Sequence, residues 1–206
     1  MPLEKPGSTN IGLILLAAGE SSRLGRPKQL LLFNGKTFLQ HTIQVASASN
    51  AQQIIVVLGA HADAIEKEIE GIDVRIVKNT EWEEGMASSI RCGVRAFKEI
   101  TSEAQGVILM VCDQPFVTAS LLNELINAHQ TTGKSIVACS YEDTFGPPAF
   151  FHRSLFEELL QLKGDVGARG IVRQHTEDVE VIPFPKGIYD VDTETDYEKI
   201  MSNREK

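Results

Sequence analysis

The chain has 206 residues, of which 42% are hydrophobic and 23% charged, the composition of a globular protein that buries one sizeable core. Lys and Arg number 20 against 28 Asp and Glu, a formal net charge of −8. That balance argues against a protein that coats nucleic acid or an anionic membrane, while leaving room for a local basic pocket for phosphate. Three widely spaced cysteines, Cys92, Cys112 and Cys139, form no CxxC pair. They indicate neither a zinc knuckle nor a disulfide framework and read as small buried hydrophobes. Residues 1–10 carry Pro2, Pro6, Gly7 and both charge signs but no apolar signal core, and no apolar run reaches the ~18 residues of a membrane span. The expectation is a soluble cytoplasmic protein of one domain, 1–206, with a flexible N-terminus over 1–10.

In chain order, runs at residues 11–16, 54–58, 74–77, 107–111 and 136–138 read as buried strands, because, Arg75 apart, no polar side chain interrupts them. Amphipathic stretches at 38–48, 62–69, 88–97 and 121–129 alternate with them. Leu121, Leu122, Leu125 and Ile126 mark one helical face in the last. Repeated strand–helix–strand units imply right-handed crossovers and a three-layer α/β sandwich around a mostly parallel sheet. After Phe145 the pattern loosens. Gly146-Pro147-Pro148 breaks the chain, 149–151 reads as a strand leading into a helix over 155–162, and a Gly-rich turn at 164–167 precedes a short helix. A strand at 179–182 and a closing helix at 193–201 follow, with Asp192 as its N-cap.

The first strand runs into a loop, 17–28, that carries Arg23 and Lys28. In an open parallel sheet, ligands bind beyond the carboxyl ends of strands. Ala17, Ala18 and Gly19 leave main-chain N–H groups free to cradle phosphate, Arg23 can fork onto phosphate oxygens, and Lys28 adds a mobile charge after the stiffening Pro27. A small-residue turn with solvated basic side chains suits the same residues. The loop lacks the glycine spacing of a dinucleotide fingerprint. Gly35-Lys36-Thr37 lacks the earlier glycine of a phosphate-binding Walker loop and reads as a tight turn into the next helix. The five histidines, His41, His61, His129, His152 and His175, show no HExxH spacing, and no GxSxG elbow is present.

The stretch Leu16-Ala17-Ala18-Gly19-x-Ser21-x-Arg23-Leu24-Gly25-x-Pro27-Lys28-Gln29-Leu30-Leu31 resembles the signature loop of nucleotidyltransferases that act on the molybdenum cofactor, above all their cytidylyltransferase branch. The resemblance continues at Gly85-Met86-Ala87-Ser88-Ser89, Cys112-Asp113-Gln114-Pro115-Phe116, Gly146-Pro147-Pro148, the segment 164–169 and Asp190-Val191-Asp192-Thr193. It implies a Rossmann-like nucleotidyltransferase fold and transfer of CMP from CTP to a molybdopterin-type cofactor, releasing pyrophosphate, in maturation of a xanthine dehydrogenase-type molybdoenzyme. On that resemblance Arg23, Lys28 and Asp113 are catalytic. Leu16, Ala17, Ala18, Gly19, Arg23, Lys28, Gly85, Ser89 and Asp113 bind the nucleotide. Asp113 and Asp192 hold Mg²⁺, with Mn²⁺ as the alternative and Asp190 as a substitute for Asp192. Gly146, Pro147, Asp165 and Arg169 serve the pterin.

Guanylyl-transferring relatives usually carry Leu-Ala-Gly-Gly where this chain has Ala18, so the extra Cβ favours the smaller cytosine by a modest margin. Ser88 and Ser89 also suit plain first-turn residues, Arg169 an exposed arginine, and Trp82 either a ring-stacking or a structural place. Two other functions fit the same residues: a nucleotidyltransferase using GTP or a sugar or polyol phosphate, and an accessory protein that binds and delivers the cofactor without turnover.

Overall fold

Strands that are apolar on consecutive residues present two hydrophobic faces, and both must be covered by helices. The computed structural model describes residues 10–203. The flexible segment expected at the N-terminus lies outside the described residues except for Asn10, whose side-chain amide donates to Thr101 Oγ1 at 2.9 Å. The chain runs β1 (Ile11–Ala17), β2 (Leu32–Phe33), β3 (Lys36–Thr37), α1 (Phe38–Ser47), β4 (Gln53–Leu58), α2 (Ala62–Lys67), β5 (Arg75–Lys78) and α3 (Met86–Ile100). It continues through β6 (Gly106–Val111), α4 (Ala119–Thr132), β7 (Ile136–Tyr141), β8 (Thr144–His152), α5 (Phe156–Gln161), α6 (Arg169–Gln174), β9 (Val179–Pro183) and α7 (Glu194–Asn203).

Seven strands form one sheet in the order β5-β4-β1-β6-β8-β7-β9. Pairs β5–β4, β4–β1, β1–β6 and β7–β9 are parallel; β8 runs antiparallel to both β6 and β7. One face is covered by α1, α2 and α4 through residues such as Leu39, Ile43, Ile65 and Leu125. The other is covered by α3, α5 and α6 through Ile90, Val94, Leu159 and Ile171. The face read from Leu121, Leu122, Leu125 and Ile126 is the buried face of α4.

From β1 the chain moves outward to β4 and β5, then returns to the opposite side of β1 as β6. The order of winding therefore reverses between β1 and β6, and a crevice opens at their carboxyl ends. Leu16 is paired in register with Val111, which sets the loop after β1 beside the loop after β6.

Two local expectations need correction. Gly146-Pro147-Pro148 does not end a strand but lies inside β8. Ala138 pairs with Ala149 and Cys139 with Gly146, so Pro147 and Pro148 fall in a bulge, where a missing N–H costs no ladder hydrogen bond. The closing helix starts at Glu194. Its first turn is closed by Thr193: Asp196 N–H donates to Thr193 Oγ1 at 3.3 Å and Thr193 N–H to Asp196 Oδ2 at 3.0 Å. Thr193 thus takes the capping place expected of Asp192. The Asn34-Gly35 turn is as read: both residues have positive φ, 52° and 79°, and join β2 to β3. Thr37 caps α1 reciprocally with Gln40. Cys112 and Cys139 are buried and Cys92 half-buried, all as free thiols. Among the described residues no helix is long and apolar enough to cross a membrane.

Candidate active site

The loop after β1 is organised by two polar side chains. Ser21 adopts a left-handed φ of 62°. Its carbonyl accepts from Leu24 and Gly25 N–H at 3.0 and 3.2 Å, and its hydroxyl accepts from Lys28 N–H at 3.0 Å. Gln29, 1% exposed, donates through Nε2 to the carbonyls of Ala17 and Gly19, both at 2.9 Å. The loop is thereby sewn back onto the end of its own strand, and Lys28 is directed across the crevice.

Lys28 Nζ contacts Asp113 Oδ2 at 2.5 Å and Asp192 Oδ1 at 3.2 Å. Arg23 Nη2 contacts the other oxygen of Asp192 at 2.6 Å. Asp113 stands just past β6, and its carbonyl accepts from Val191 N–H at 3.2 Å, which brings the 190–192 segment to the crevice. Burial opposes the Lys28 ammonium, but the Asp113 charge and hydrogen bond outweigh it and hold the pKa above the usual lysine value. Burial, then the charges of Asp113 and Asp192, push the Asp190 carboxyl up. Burial pushes the Cys112 thiol up to about 12, so it stands beside Asp113 as a neutral thiol.

Two cavities meet at this cluster. One, of about 350 Å³, is lined by residues that include Leu16, Ala17, Ala18, Gly19, Lys28, Gly85, Ser89 and Asp113. Eight of the nine residues expected to bind a nucleotide therefore line one cavity; Arg23 lies outside it, exposed and turned to Asp192. Trp82 lines the same cavity, half-buried. The second cavity, of about 290 Å³, is lined by Asp113, Gln114, Tyr141, Gly146, Pro147, Arg169 and Asp190 over an apolar floor. Of the four residues expected to serve a pterin, Gly146, Pro147 and Arg169 line this second cavity together, whereas Asp165 lines the first. Leu16, Met86, Val111 and Asp113 belong to both.

The far wall of the first cavity is a cross-braced pair of loops. Gly85 has a φ of 114°, and a Cβ there would meet Asp165 Cα at 2.5 Å, so only glycine fits. Met86 N–H donates to Asp165 Oδ1 at 3.3 Å, and Gly164 N–H to Glu84 Oε1 at 3.1 Å. Arg91 holds Glu84 at 2.5 Å and donates to the Leu162 carbonyl at 2.7 Å. These bonds, Arg91 first and Gly164 second, depress the Glu84 carboxyl to about 2. Asn79 donates to the hydroxyls of Ser88 and Ser89 at 2.8 and 3.0 Å. Ser88 in turn donates to the Gly85 carbonyl at 2.8 Å and does not line the cavity; of the two serines, Ser89 faces it.

Ser21, Gln29, Asn79 and Arg91 carry no role in the sequence-based reading. Their signal is weak: Gln29 is a polar residue between Lys28 and a run of leucines, and Ser21 a serine inside a quoted motif. The histidines on helices are structural, His41 Nε2 lying 3.0 Å from the Pro115 carbonyl and His129 Nδ1 2.8 Å from that of Lys134.

The first cavity is acidic, with Glu20, Glu83, Glu84, Asp113 and Asp165 against Lys28. Among the described residues no group of three His, Cys, Asp or Glu side chains is arranged to hold a metal by itself. Two carboxylates nevertheless converge closely enough for one ammonium to touch both, a hard oxygen pair of the kind that holds Mg²⁺ or Mn²⁺ together with phosphate oxygens. The donor set fits a divalent cation shared with a phosphorylated ligand.

Known proteins resemble this chain over most of its length. The chain is 30% identical over 168 residues to nicotine blue oxidoreductase of Paenarthrobacter nicotinovorans, covering 78% of this chain and 80% of that protein. It is 26% identical over 202 residues to purine catabolism protein PucB of Bacillus subtilis, covering 91% and 94%. Among solved structures, Rv0371c of Mycobacterium tuberculosis superposes with a TM-score of 0.82 at 32% identity, covering 95% of this chain and all (100%) of that one; the same protein has been solved in complex with manganese. Residues 13–179 match the MobA-like NTP transferase domain, a span that holds most of β1 with its loop, Lys28, Asp113 and most of the residues lining both cavities. The chain is a nucleotidyltransferase of the MobA-like NTP transferase family.

Proposed function

We propose that this chain is a cytoplasmic cytidylyltransferase that transfers CMP from CTP to a molybdopterin-type cofactor, releasing pyrophosphate, and so serves maturation of a xanthine dehydrogenase-type molybdoenzyme. The observation that carries the reading is Asp113: it stands on the wall common to two cavities and is held there by Lys28. A group that transfers from one ligand to another needs such a junction, because the reacting atoms must be brought into line with little covalent help from the protein.

In this mechanism the triphosphate lies in the first cavity over the N–H groups of the loop after β1. The terminal phosphate of the acceptor enters from the second cavity. Its oxygen forms a bond to the α-phosphorus as the bond from that phosphorus to the β-phosphate bridging oxygen breaks, and pyrophosphate leaves with both electrons of the broken bond. Lys28 moves from its two carboxylates to the phosphate oxygens and carries its positive charge to the site of bond exchange. Asp113 and Asp192, relieved of Lys28, are the ligands that would hold the divalent cation, which when bound neutralises phosphate charge. Arg23 keeps Asp192 in place from the solvent side. Ala18 stands at the base end, 6% exposed, its methyl so close to Gly59 that a Cβ there would lie 2.8 Å from it. The manganese complex of the mycobacterial relative supports a divalent cation as partner of this site.

The test is pyrophosphate release by the purified protein with Mg²⁺, the molybdopterin-type cofactor and each nucleoside triphosphate in turn. Release with CTP alone, dependent on the cofactor, is the expected result. Release with GTP alone overturns the choice of nucleotide and keeps the reaction class. Silence with every nucleotide while the cofactor binds overturns transfer in favour of delivery.

A further inference from the structure

The second cavity contains a buried amide with an unspent oxygen. Gln114 is 4% exposed and lines that cavity. Its Nε2 donates to the Gly187 carbonyl at 3.0 Å and approaches Tyr141 Oη at 3.5 Å. The Gly187 carbonyl settles which end of the amide is nitrogen, since an amide oxygen at that place would face another oxygen. Oε1 is left buried with no hydrogen-bond partner. A buried acceptor without a donor is costly, and structures that retain one usually keep it for a ligand or a water.

Tyr141 presents the complementary group. Its oxygen lies 3.5 Å from Gln114 Nε2 and 3.5 Å from Arg169 Nη2, and among the described residues no acceptor takes its proton. A hydroxyl that can give thus stands next to the amide whose own oxygen is unpaired. The phenol is held there by two glycines. A Cβ on Gly146 would lie 1.7 Å from Tyr141 Oη, and one on Gly187 would lie 2.3 Å from its Cδ1, so a side chain at either position would expel the ring. The floor beneath, from Leu109, Ala138, Ala149 and Phe151, is apolar and suits a flat heterocycle.

From this pairing we infer that Gln114 and Tyr141 determine acceptor specificity by reading a lactam edge, a ring N–H beside a ring C=O. The ring N–H donates to Gln114 Oε1, and the ring carbonyl accepts from Tyr141 O–H. The inference rests on the proposed acceptor, whose pterin ring carries such an edge. It assigns the glycine before the two prolines a purpose, which is to admit the phenol.

The experiment compares two fluorescent probes by titration into the full-length protein: pterin, and 2,4-diaminopteridine, in which an amino group and a bare ring nitrogen invert that edge. The wild-type protein binds pterin tighter by about tenfold or more, the scale set by leaving buried polar groups unpaired. Tyr141→Phe and Gln114→Leu each remove most of that preference while leaving binding of the diamino probe nearly unchanged. Equal binding of the two probes by the wild-type protein, or failure of pterin to bind, overturns the inference, as does retention of the preference in both variants. Should Gln114→Leu not fold, the wild-type ratio and Tyr141→Phe decide alone. Pyrophosphate release measured on the same preparation separates the two readings. Release without probe preference removes the edge-reading pair and keeps the transferase; preference without release does the reverse.

Discussion

Lys28 is the side chain on which the site turns, because one ammonium satisfies Asp113 and Asp192 together. Without it, Asp113, Asp192 and the nearby Asp190 keep only Arg23 as counter-charge within the cluster. Lys28→Ala is expected to lower kcat by roughly 10²–10³, the usual loss when one preorganised donor to a transition state is removed; an unchanged kcat at saturating substrates would return Lys28 to a purely structural part. Ala18 sets a smaller effect. Ala18→Gly is expected to raise GTP use relative to CTP, within about 1–3 kcal/mol of discrimination, read as the ratio of kcat/KM for the two nucleotides. A ratio that does not move would show that the methyl serves its contact near Gly59 alone. At this scale the sequence pointed to Arg23, Lys28, Asp113 and Asp192, whose motifs are contiguous or follow strands, and the structure brings the four into one cluster. The sequence did not disclose Gln29 or Gln114, because nothing in a glutamine's neighbours along the chain says that its amide will be buried.

At the scale of elements, most strands and helices were legible from period alone, while β8 was legible only over its last apolar residues. Its first half carries two prolines, which ordinarily argue against a strand, and only pairing with β7 creates the bulge that accommodates them. The start of α7 was misread by one residue for a similar reason. Asp192 and Thr193 are both good caps, and the choice between them is made by Lys28 and Arg23, more than 160 positions away in the chain. The brace between the loops at 82–86 and 162–165 yields a pH prediction. Glu84 stays ionised in the folded protein down to about 2, against an ordinary value of 4.5. The folded state therefore binds fewer protons than the unfolded one between those values, so this contribution is complete above about 4.5 and is lost as pH falls toward about 2. Solvent reaches the pair and keeps the effect small. Urea denaturation of wild type and Glu84→Gln is expected to show a steeper fall in wild type across that window, and parallel curves would remove the brace from the account.

For the molecule as a whole, the three layers and the mostly parallel sheet follow from alternating apolar runs and amphipathic stretches. The antiparallel insertion of β8 between β6 and β7 does not, since no local pattern says that a strand will return against its predecessor. Ligand binding should be felt by the entire fold. A ligand that binds only the native state stabilises it by about 2.7 kcal/mol at a hundred times its Kd. CTP with Mn²⁺ is accordingly expected to raise the melting temperature above CTP alone, and Asp113→Ala to abolish that metal-dependent increment while melting cooperatively without ligand. An increment that survives the substitution would place the cation elsewhere.

The common wall between the cavities bears on what happens after bond exchange. Leu16, Met86, Val111 and Asp113 border both spaces, so in the proposed reaction a finished molecule carrying both halves would occupy them together. Each half is then tethered to the other, and rebinding of a half that lets go is intramolecular, at an effective concentration of order millimolar for a short link. In the proposed reaction the dinucleotide product is in that sense bivalent where each substrate is monovalent, and avidity then makes its departure, rather than its formation, the step that an outside recipient would accelerate.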